Sequence, residues 1–563
     1  MEKTLQKLRK CLPLLAFIAA ALWLFYQLYP IVFATHDDLR NYTLVQRGVL
    51  AKDALGSAKC GRISHLWNHF LLGFPFLLNK VWFYKLVSYG TLLFDFFAMH
   101  LLLKKHVSRR FADLSAMLSM AWLCINGSHN LLIAYALCHQ IPIGFLFLSL
   151  YFFGSRMRGG KVRNTVFSCI FLLAACMIYE AFTVSLLLFA VWALAVTPQE
   201  KGHGYFSYLR KAAGKILPQV CTAGAYMIVY FAWQHFYPPT YDGTALVIGE
   251  PFVSLYAAGV YGTSMFPLAE MMRLAKQEPV TAMRFFGHLL HPAPWISAFL
   301  TAAAFYSLLP QIRLPKLRAH ITALLSGLGI LVPCVLIGCS EKYIKWIRRG
   351  TTGYLPSFYS YLFLVTFLTV MTVRLYRSAT GKPQRQTIRI VTTLLVCGLS
   401  LCASSLTDMW KPAYMQLVEK YYNFDRAVSS ASFTDCDESW QLYAPDYEGI
   451  HRFDQYTEDY LQIHNPAQIE FINAEKDILP DKRILCMRTT AEHDYILAGE
   501  TDAQFHADTV TAYSAVRDVF QVILKDTAGN DLVFEQVHNG DILNAPAGTL
   551  FDMNAGEKLA EEN

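Results

Sequence analysis

The stretch "CLPLLAFIAAALWLFYQLYPIVFATHDDLR" at residues 11–40 decides the class of fold. Its apolar part, Cys11 to Ala34, is long enough to cross a hydrocarbon core of roughly 30 Å. Basic residues precede it and no small-residue cleavage site follows, so we interpret it as a retained anchor and not as a signal peptide. The chain leaves this span through two adjacent acids, Asp37 and Asp38, followed by Arg40.

Composition extends this interpretation to most of the chain. Hydrophobic residues make up 54% of the 563 residues, charged residues only 16%, and the mean hydropathy is +0.30. We therefore expect a polytopic α-helical membrane protein with about eleven spans. The expected centres lie near residues 22, 95, 119, 142, 171, 189, 226, 297, 329, 365 and 397.

The distribution of basic residues predicts the topology. With the N terminus inside, the inner segments are 1–10, 104–110, 156–163, 198–215, 313–318 and 374–389. They hold 24 of the 38 Lys and Arg residues that precede position 407, as the positive-inside rule requires. The protein is then a multi-pass protein of the cytoplasmic membrane. The loop after the first span, the loops near 237–285 and 339–354, and the C-terminal tail lie outside.

A change of charge marks a domain boundary between residues 406 and 407. Residues 407–563 carry 11 basic and 29 acidic side chains. The tail contains a candidate hairpin, "VFQVILKDTAGNDLVFEQV", with a turn at Gly529 and Asn530, and a further candidate strand, "RILCM". We expect a small α/β domain on the outside. Its acidity argues against a nucleic acid partner, which needs a basic surface.

The acids after the first span are candidates for chemistry. Solvated carboxylates that cap a helix are the simpler interpretation. Arg40 and, about twenty residues later, Arg62 supply guanidinium groups to the same exterior region. Carboxylates with guanidinium groups can bind a divalent cation such as Mg²⁺ or Mn²⁺, hold an acceptor hydroxyl, or bind phosphate. Asp37 and Asp38 are the candidate metal ligands, and a site without metal stays open.

A second candidate interrupts a long apolar run. Tyr179 and Glu180 stand within "AACMIYEAFTVSLLLF", where the run is too long for one span and the topology needs two crossings. Glu180 would lie at the outer turn, as a functional group or as a structural partner of a basic residue. Asp95 is a weaker candidate that could only satisfy a neighbouring helix.

A third candidate site is a cluster of basic residues in a predicted exterior loop, although most basic residues of the chain are predicted to lie inside. "SEKYIKWIRRG" contributes Lys342, Lys345, Arg348 and Arg349. Attraction to anionic lipid head groups is the simpler explanation. A site for the phosphate of a lipid carrier is the sharper one, because arginine forms bidentate contacts with phosphate. Arg273 and either of two nearby histidines, His288 and His291, could join it.

The order of these features resembles the GT-C superfamily of integral membrane glycosyltransferases over residues 1–406. "DDLR" with "GR" about twenty residues later is similar to bacterial glucosyltransferases of the phage-type O-antigen modification group. The resemblance implies transfer of a hexose from a polyprenyl-phosphate-linked donor to a glycan acceptor at the cell surface. Asp37 or Asp38 would act as general base or metal ligand. The residues Arg40 and Arg62 would shape the site.

Two other classes stay open. A transporter or lipid-linked-glycan flippase would use Asp95 and Glu180 to relay protons or to bind its cargo. A polysaccharide polymerase would share the lipid-phosphate donor but would bind two lipid-linked glycans at once. The informative acids are predicted near one surface and no internal repeat stands out, which favours the transferase.

Overall fold

In the computed structural model, the described residues are 2–428 except 127–128, 199–204, 241–242, 244, 246, 248, 278 and 351–352. Beyond residue 428 they are 439–443, 459–460, 462–464, 469–472, 479, 483–489, 495–500, 507–514, 519–525 and 531–537. The helices are α1 Glu2–Leu28, α2 His36–Gln46, α3 Leu50–Ala58, α4 His65–Gly73, α5 Val81–His106, α6 Arg109–Ala121, α7 Ile141–Met157, α8 Arg163–Ile178, α9 Leu186–Val196, α10 Tyr205–Phe236, α11 Pro251–Thr263, α12 Pro267–Gln277, α13 Pro279–His288, α14 Pro292–Leu308, α15 Lys316–Leu331, α16 Val335–Gly338, α17 Glu341–Arg348, α18 Leu355–Ser378 and α19 Lys382–Val428.

The chain forms two compact units. The first contains Met1–Val32 and Val49–Lys411, and the second contains Phe33–Gly48 and Pro412–Asn563. The boundary at residues 406 and 407 stays a prediction.

The prediction of a polytopic helical membrane protein is confirmed. Seven helices in the described part of the chain are long and apolar enough to span a membrane, and α11 with α12 adds an eighth if this bent pair counts as one span. Three shorter apolar helical segments, Ile141–Met157, Arg163–Ile178 and Glu180–Val196, accompany them. All but one of the expected centres fall within these segments. The exception, near residue 119, lies in α6, whose 13 residues are too few to cross roughly 30 Å of hydrocarbon.

In the region expected to be a long exterior loop, 237–285, most of the described residues belong to helices α11, α12 and α13. Helices α11 and α12 meet there at an angle of 113°, the geometry of a broken span or a re-entrant loop. The sequence "PFVSLYAAGVYGT" of α11 is apolar. With 13 residues, α11 is too short to cross the membrane by itself. For this reason the sequence predicted a loop here and not a span.

The expected break in the apolar run near residue 180 is present. Helix α8 ends at Ile178, and Tyr179 adopts an extended conformation with φ −142° and ψ 109°. A 3₁₀ turn from Glu180 to Ser185 follows and leads into α9. Glu180 therefore begins the turn between two short apolar helices.

The second unit contains a seven-stranded sheet. Its strands are β1 Trp440–Tyr443, β2 Glu470–Ile472, β3 Arg483–Thr489, β4 Tyr495–Glu500, β5 Ala507–Ser514, β6 Val519–Lys525 and β7 Asp531–Val537. They are arranged in the order β2-β1-β3-β4-β5-β6-β7. The predicted hairpin is confirmed, since β6 and β7 pair antiparallel from Val519↔Val537 to Lys525↔Asp531. "RILCM" lies in β3 as expected, and the turn at Gly529 and Asn530 lies outside the described residues.

Candidate active site

The site in the first unit begins at the tight connection between α3 and α4. Gly61 has a φ of +92°, a conformation that residues with a Cβ rarely adopt. A Cβ on Gly61 would also lie 2.7 Å from the backbone Cα of Pro239. Glycine is therefore required at this position for two separate reasons. It allows the chain to turn and present Arg62.

Two side-chain hydrogen bonds connect helix α4 to the C-terminal end of α8. The Trp67 indole donates a hydrogen bond to the carbonyl of Met177 at 2.5 Å, and the Asn68 amide donates to the carbonyl of Ile178 at 2.9 Å. The last carbonyl groups of a helix have no partner within that helix. These two side chains satisfy such groups where the apolar run breaks, and they hold the segment that carries Arg62 against Glu180.

Arg62 and Glu180 form an ion pair at this point. Arg62 Nη2 lies 2.7 Å from Glu180 Oε1, with the two side chains 16% and 19% exposed. The other carboxylate oxygen, Glu180 Oε2, is buried and has no hydrogen-bond partner among the described residues. A carboxylate fixed through one oxygen keeps its second oxygen available to a hydroxyl group or a proton.

The ion pair sets the charge state of its surroundings. Burial by itself lowers the pKa of Arg62, but the facing carboxylate of Glu180 outweighs it, so the pKa is raised. The neighbouring His65 responds in the opposite direction. Burial, Arg62 and His69 together lower its pKa to about 3. His65 is therefore neutral at physiological pH, and the positive charge of the site resides on Arg62.

Irregular backbone lies between α6 and α7, at residues 122–126 and 129–140. Tyr135 and Leu137 have positive φ values of 56° and 67°, which are strained for residues with bulky side chains. The Gln140 amide donates to the carbonyl of Leu131, and its oxygen accepts from the N–H of Leu137. Asn130 similarly donates to the carbonyl of Cys124. Side-chain amides thus replace the helical hydrogen bonds that a buried backbone would otherwise lose.

Aromatic side chains connect this segment to the ion pair on one side and to α17 on the other. We call the set Tyr179, His139, Tyr135, His129, Trp346 and Tyr354 the aromatic path. Tyr179 packs edge-on against His139 with ring centroids 5.8 Å apart. At the other end, His129 stacks on Trp346 with centroids 5.4 Å apart and an interplanar angle of 9°. The path runs from the residue preceding Glu180 to the basic helix.

The basic residues lie on and just after α17. Lys342 is placed over the Trp346 ring at 5.7 Å, which ties it to the aromatic path. Lys345 pairs with Glu341 at 2.6 Å on an exposed surface. Arg348 and Arg349 are exposed at the C-terminal end of the helix. Arg62, Tyr179 and Glu180 thus converge directly, and α17 is linked to them through stacked rings.

The acids after the first span belong to the second unit, where they begin α2. The Thr35 side chain accepts from the N–H of Asp38 at 3.3 Å, and its hydroxyl donates to Asp38 Oδ2 at 3.2 Å. Asp38 is 2% exposed, whereas Asp37 and Arg40 are half-buried. Thr35 is therefore the N-cap of α2, and Asp38 is a buried residue of the first helical turn and not a solvated capping carboxylate. The roles of these three residues in catalysis or metal binding stay predictions.

The weaker candidates have structural neighbours. Asp95 is completely buried in α5, and a Cβ on Gly144, in the first turn of α7, would lie 2.5 Å from its Oδ1. The start of a helix favours a carboxylate because its N–H groups point outward. Arg273 forms a bidentate pair with buried Glu270 at 2.7 and 2.9 Å. The ion pair fits a structural role for Arg273, whereas both carboxylate oxygens of Asp95 are buried and have no hydrogen-bond partner among the described residues.

Comparison with known proteins gives remote similarity. No family model and no curated protein matches the chain. The crystal structure of ArnT from Cupriavidus metallidurans bound to undecaprenyl phosphate matches with a TM-score of 0.36 and 10% identity, over 87% of this chain and 96% of that one. The apo oligosaccharyltransferase of Archaeoglobus fulgidus matches with a TM-score of 0.36 and 11% identity, over 96% of this chain and 76% of that one. At this TM-score neither match assigns a family, a substrate or a residue role to this chain.

Sequence reasoning missed most of the aromatic path. His129, Tyr135 and His139 lie in a stretch whose apolar character predicted ordinary spans near 119 and 142. A usable signal was present in the spacing of Asn126, Asn130 and Gln140. Buried amides at short intervals compete with the backbone for hydrogen bonds and so favour irregular structure.

Proposed function

We propose that this chain is a membrane glycosyltransferase that transfers a hexose from a polyprenyl-phosphate-linked donor to a cell-surface glycan on the extracytoplasmic side. The observation that carries the proposal is the Arg62–Glu180 pair, with one buried carboxylate oxygen left available. A buried carboxylate oxygen without a hydrogen-bond partner is uncommon and calls for an explanation, and a bound substrate group at this oxygen would supply one.

The aromatic path supports a sugar as the group bound beside this pair. Tyrosine, tryptophan and histidine rings combine an apolar face with a polar edge, the character needed to stack on a hexose while binding its hydroxyl groups. Tyr135 is held at a positive φ within this path. Strained backbone of this kind clusters at ligand-binding sites.

The charges on α17 support phosphate as the leaving group. Displacement of a lipid phosphate from the anomeric carbon develops negative charge on the phosphate oxygens, which lysine and arginine stabilise. Lys342, Lys345, Arg348 and Arg349 supply these cations near the interface. No acid is needed to protonate such a leaving group, so a single base suffices, in contrast to the two separated carboxyl groups of a hydrolase.

The base removes the proton of the acceptor hydroxyl as its oxygen attacks the anomeric carbon. The family resemblance implies that Asp37 or Asp38 is this base. The same two residues are proposed as ligands if the enzyme uses Mg²⁺ or Mn²⁺. Glu180 is the alternative candidate for this base, since its Oε2 is available to the proton of the hydroxyl group. Arg62 holds Glu180 through Oε1. Arg40 keeps the site-shaping role that the family resemblance implies.

The test is a direct transfer assay. The purified chain in lipid nanodiscs is given polyprenyl-phosphate hexose with a radiolabelled sugar and a total glycan extract from the native cell envelope. The proposal expects label in the glycan fraction, with a loss of about 10²-fold or more in the Glu180→Gln variant. Asp113→Asn, which removes a half-exposed carboxylate paired with His100, is the matched control. Undiminished transfer by Glu180→Gln, or donor that stays intact with every glycan fraction, would overturn it.

A further inference from the structure

A cluster of two histidines and one carboxylate lies apart from the residues described above. His288 ends α13, His291 precedes α14, and Asp408 lies in α19. His288 Nδ1 and His291 Nδ1 approach the same oxygen, Asp408 Oδ2, at 2.8 and 2.6 Å. The three ligand atoms lie within 4.8 Å of one another.

The backbone fixes the position of the histidines. Pro292 and Pro294 follow His291, and a residue before proline is confined to extended conformations, as the φ of −67° and ψ of 131° at His291 show. The Trp295 indole donates to the carbonyl of Leu289 at 2.7 Å and closes the turn between the two helices. The turn therefore presents both Nδ1 atoms in one direction.

The carboxylate is oriented by a separate partner. The amide of Gln27, which is 3% exposed, donates to Asp408 Oδ1 at 3.3 Å. This bond leaves Oδ2 directed towards the two imidazoles. Carboxylates that bind metals are commonly oriented by such an outer hydrogen bond.

We propose that His288, His291 and Asp408 bind a divalent transition-metal ion of the zinc type. Two imidazole nitrogens and one carboxylate oxygen are borderline donors that suit Zn²⁺ and Co²⁺ better than Mg²⁺, which prefers oxygen ligands alone. His291 is exposed, so the fourth position is open to water. The proposal is independent of the proposed function.

Binding requires only a small adjustment. In a tetrahedral site with bonds of about 2.0–2.1 Å, ligand atoms lie about 3.3 Å apart, so each nitrogen retreats from Oδ2 by about half an ångström. The exposed His291 ring has room to do so. The ion replaces the hydrogen bonds and joins α19 to the turn between α13 and α14.

Metal content tests the proposal. The chain is purified with a tag free of histidine, stripped with a chelator and titrated with Co²⁺ and Zn²⁺ in nanodiscs. We expect one ion per chain, visible absorption bands of Co²⁺ in tetrahedral geometry, no competition from millimolar Mg²⁺, and an affinity at least 100-fold lower in His291→Ala and Asp408→Asn. His320→Ala, which removes an exposed histidine of α15, leaves the affinity unchanged.

Substoichiometric binding by the original chain, or equal affinity in His291→Ala and Asp408→Asn, would overturn the proposal. If either variant fails to fold, its affinity measurement is replaced by chemical modification of His288 and His291 with diethyl pyrocarbonate in the original chain. Protection of both by Zn²⁺, with His320 as reactive as before, supports the site. Equal modification with and without Zn²⁺ contradicts it.

Discussion

Arg62 Nη2 and Glu180 Oε1 lie 2.7 Å apart although 118 positions separate the two residues in the chain. The pair joins the tight turn after α3 to the break between α8 and α9. Because both side chains are mostly buried, removing either one leaves an uncompensated charge, which is strongly unfavourable. The pair is thus a suitable point at which to separate structural from catalytic effects.

Conservative changes at the pair should reduce activity, and Glu180→Gln should also lower stability because it leaves the charge of Arg62 unpaired. Glu180→Gln keeps the shape of the side chain but removes its charge and its capacity to take a proton. We expect hexose transfer to fall about 10²-fold or more. Arg62→Lys keeps the charge but not the planar geometry, and we expect a loss of about tenfold. Initial rates in nanodiscs, divided by the folded fraction from unfolding curves measured in parallel, provide the check, and an unchanged rate per folded molecule would indicate a structural pair only.

Gly61→Ala should destabilise the turn that presents Arg62. The left-handed conformation costs a residue with a Cβ about 1–2 kcal/mol, and contact with Pro239 adds to it. The matched control is Gly56→Ala in α3, where a Cβ would meet nothing within 4 Å and the change should stabilise the helix by up to about 1 kcal/mol. Chemical unfolding curves of the two variants should shift in opposite directions. Shifts of the same sign would contradict this account of the turn.

Neutralising the end of α17 should weaken binding of the donor. The double variant Arg348→Gln with Arg349→Gln removes two cations proposed to contact phosphate in the donor and in the transition state, so KM for the lipid-linked donor should rise and kcat/KM should fall about tenfold or more. The control, Arg313→Gln with Lys316→Gln, removes two exposed cations from a predicted inner segment. An equal rise of KM in both double variants would mean that these charges act only on the membrane surface.

His65 should make the protein sensitive to acid. Its pKa is about 3 in the folded chain, below the ordinary value of 6.5, so the unfolded chain binds the additional proton first as the pH falls. Stability should therefore decline between about pH 6.5 and pH 3, with no contribution from His65 above pH 6.5. His65→Gln should lose part of this decline, whereas His235→Gln, at an exposed position near the end of α10, should retain it. Identical pH profiles of unfolding for His65→Gln and the original chain would exclude this role.

Asparagine in place of Asp37 or Asp38 should separate the effect of these acids on transfer from their effect on folding. Asparagine can still accept the hydrogen bonds that begin α2, so Asp37→Asn and Asp38→Asn should fold normally. We expect transfer to be abolished by the variant that removes the base. Normal transfer by both variants would remove this loop from the site, whatever the outcome at Glu180.

Some parts of this structure could be predicted from the sequence because residues close together in the chain determine them. The break at Tyr179 and Glu180 follows from an apolar run too long for one span and a carboxylate that cannot be left in hydrocarbon. Strands β6 and β7 follow from β-prone residues on either side of a turn. In both cases the local sequence alone is sufficient for the prediction.

Other parts depend on contacts between distant residues. Nothing near Arg62 in the sequence identifies Glu180 as its partner. The apolar character of residues 122–126 and 129–140 predicted helices, yet Asn130 and Gln140 stabilise irregular backbone there by donating to carbonyl groups six and nine residues away. The aromatic path depends on this segment, and for that reason it could not be predicted.

The most direct test of the central claim is mass analysis of cell-surface glycans from the native organism with and without the gene, and after complementation with the original chain or with Glu180→Gln. We predict that the deletion lacks a single hexose substituent, that the original chain restores it and that Glu180→Gln does not, although that variant reaches the membrane in equal amount. Unchanged glycans in the deletion strain, with accumulated lipid-linked precursor, would contradict a transferase and favour a flippase.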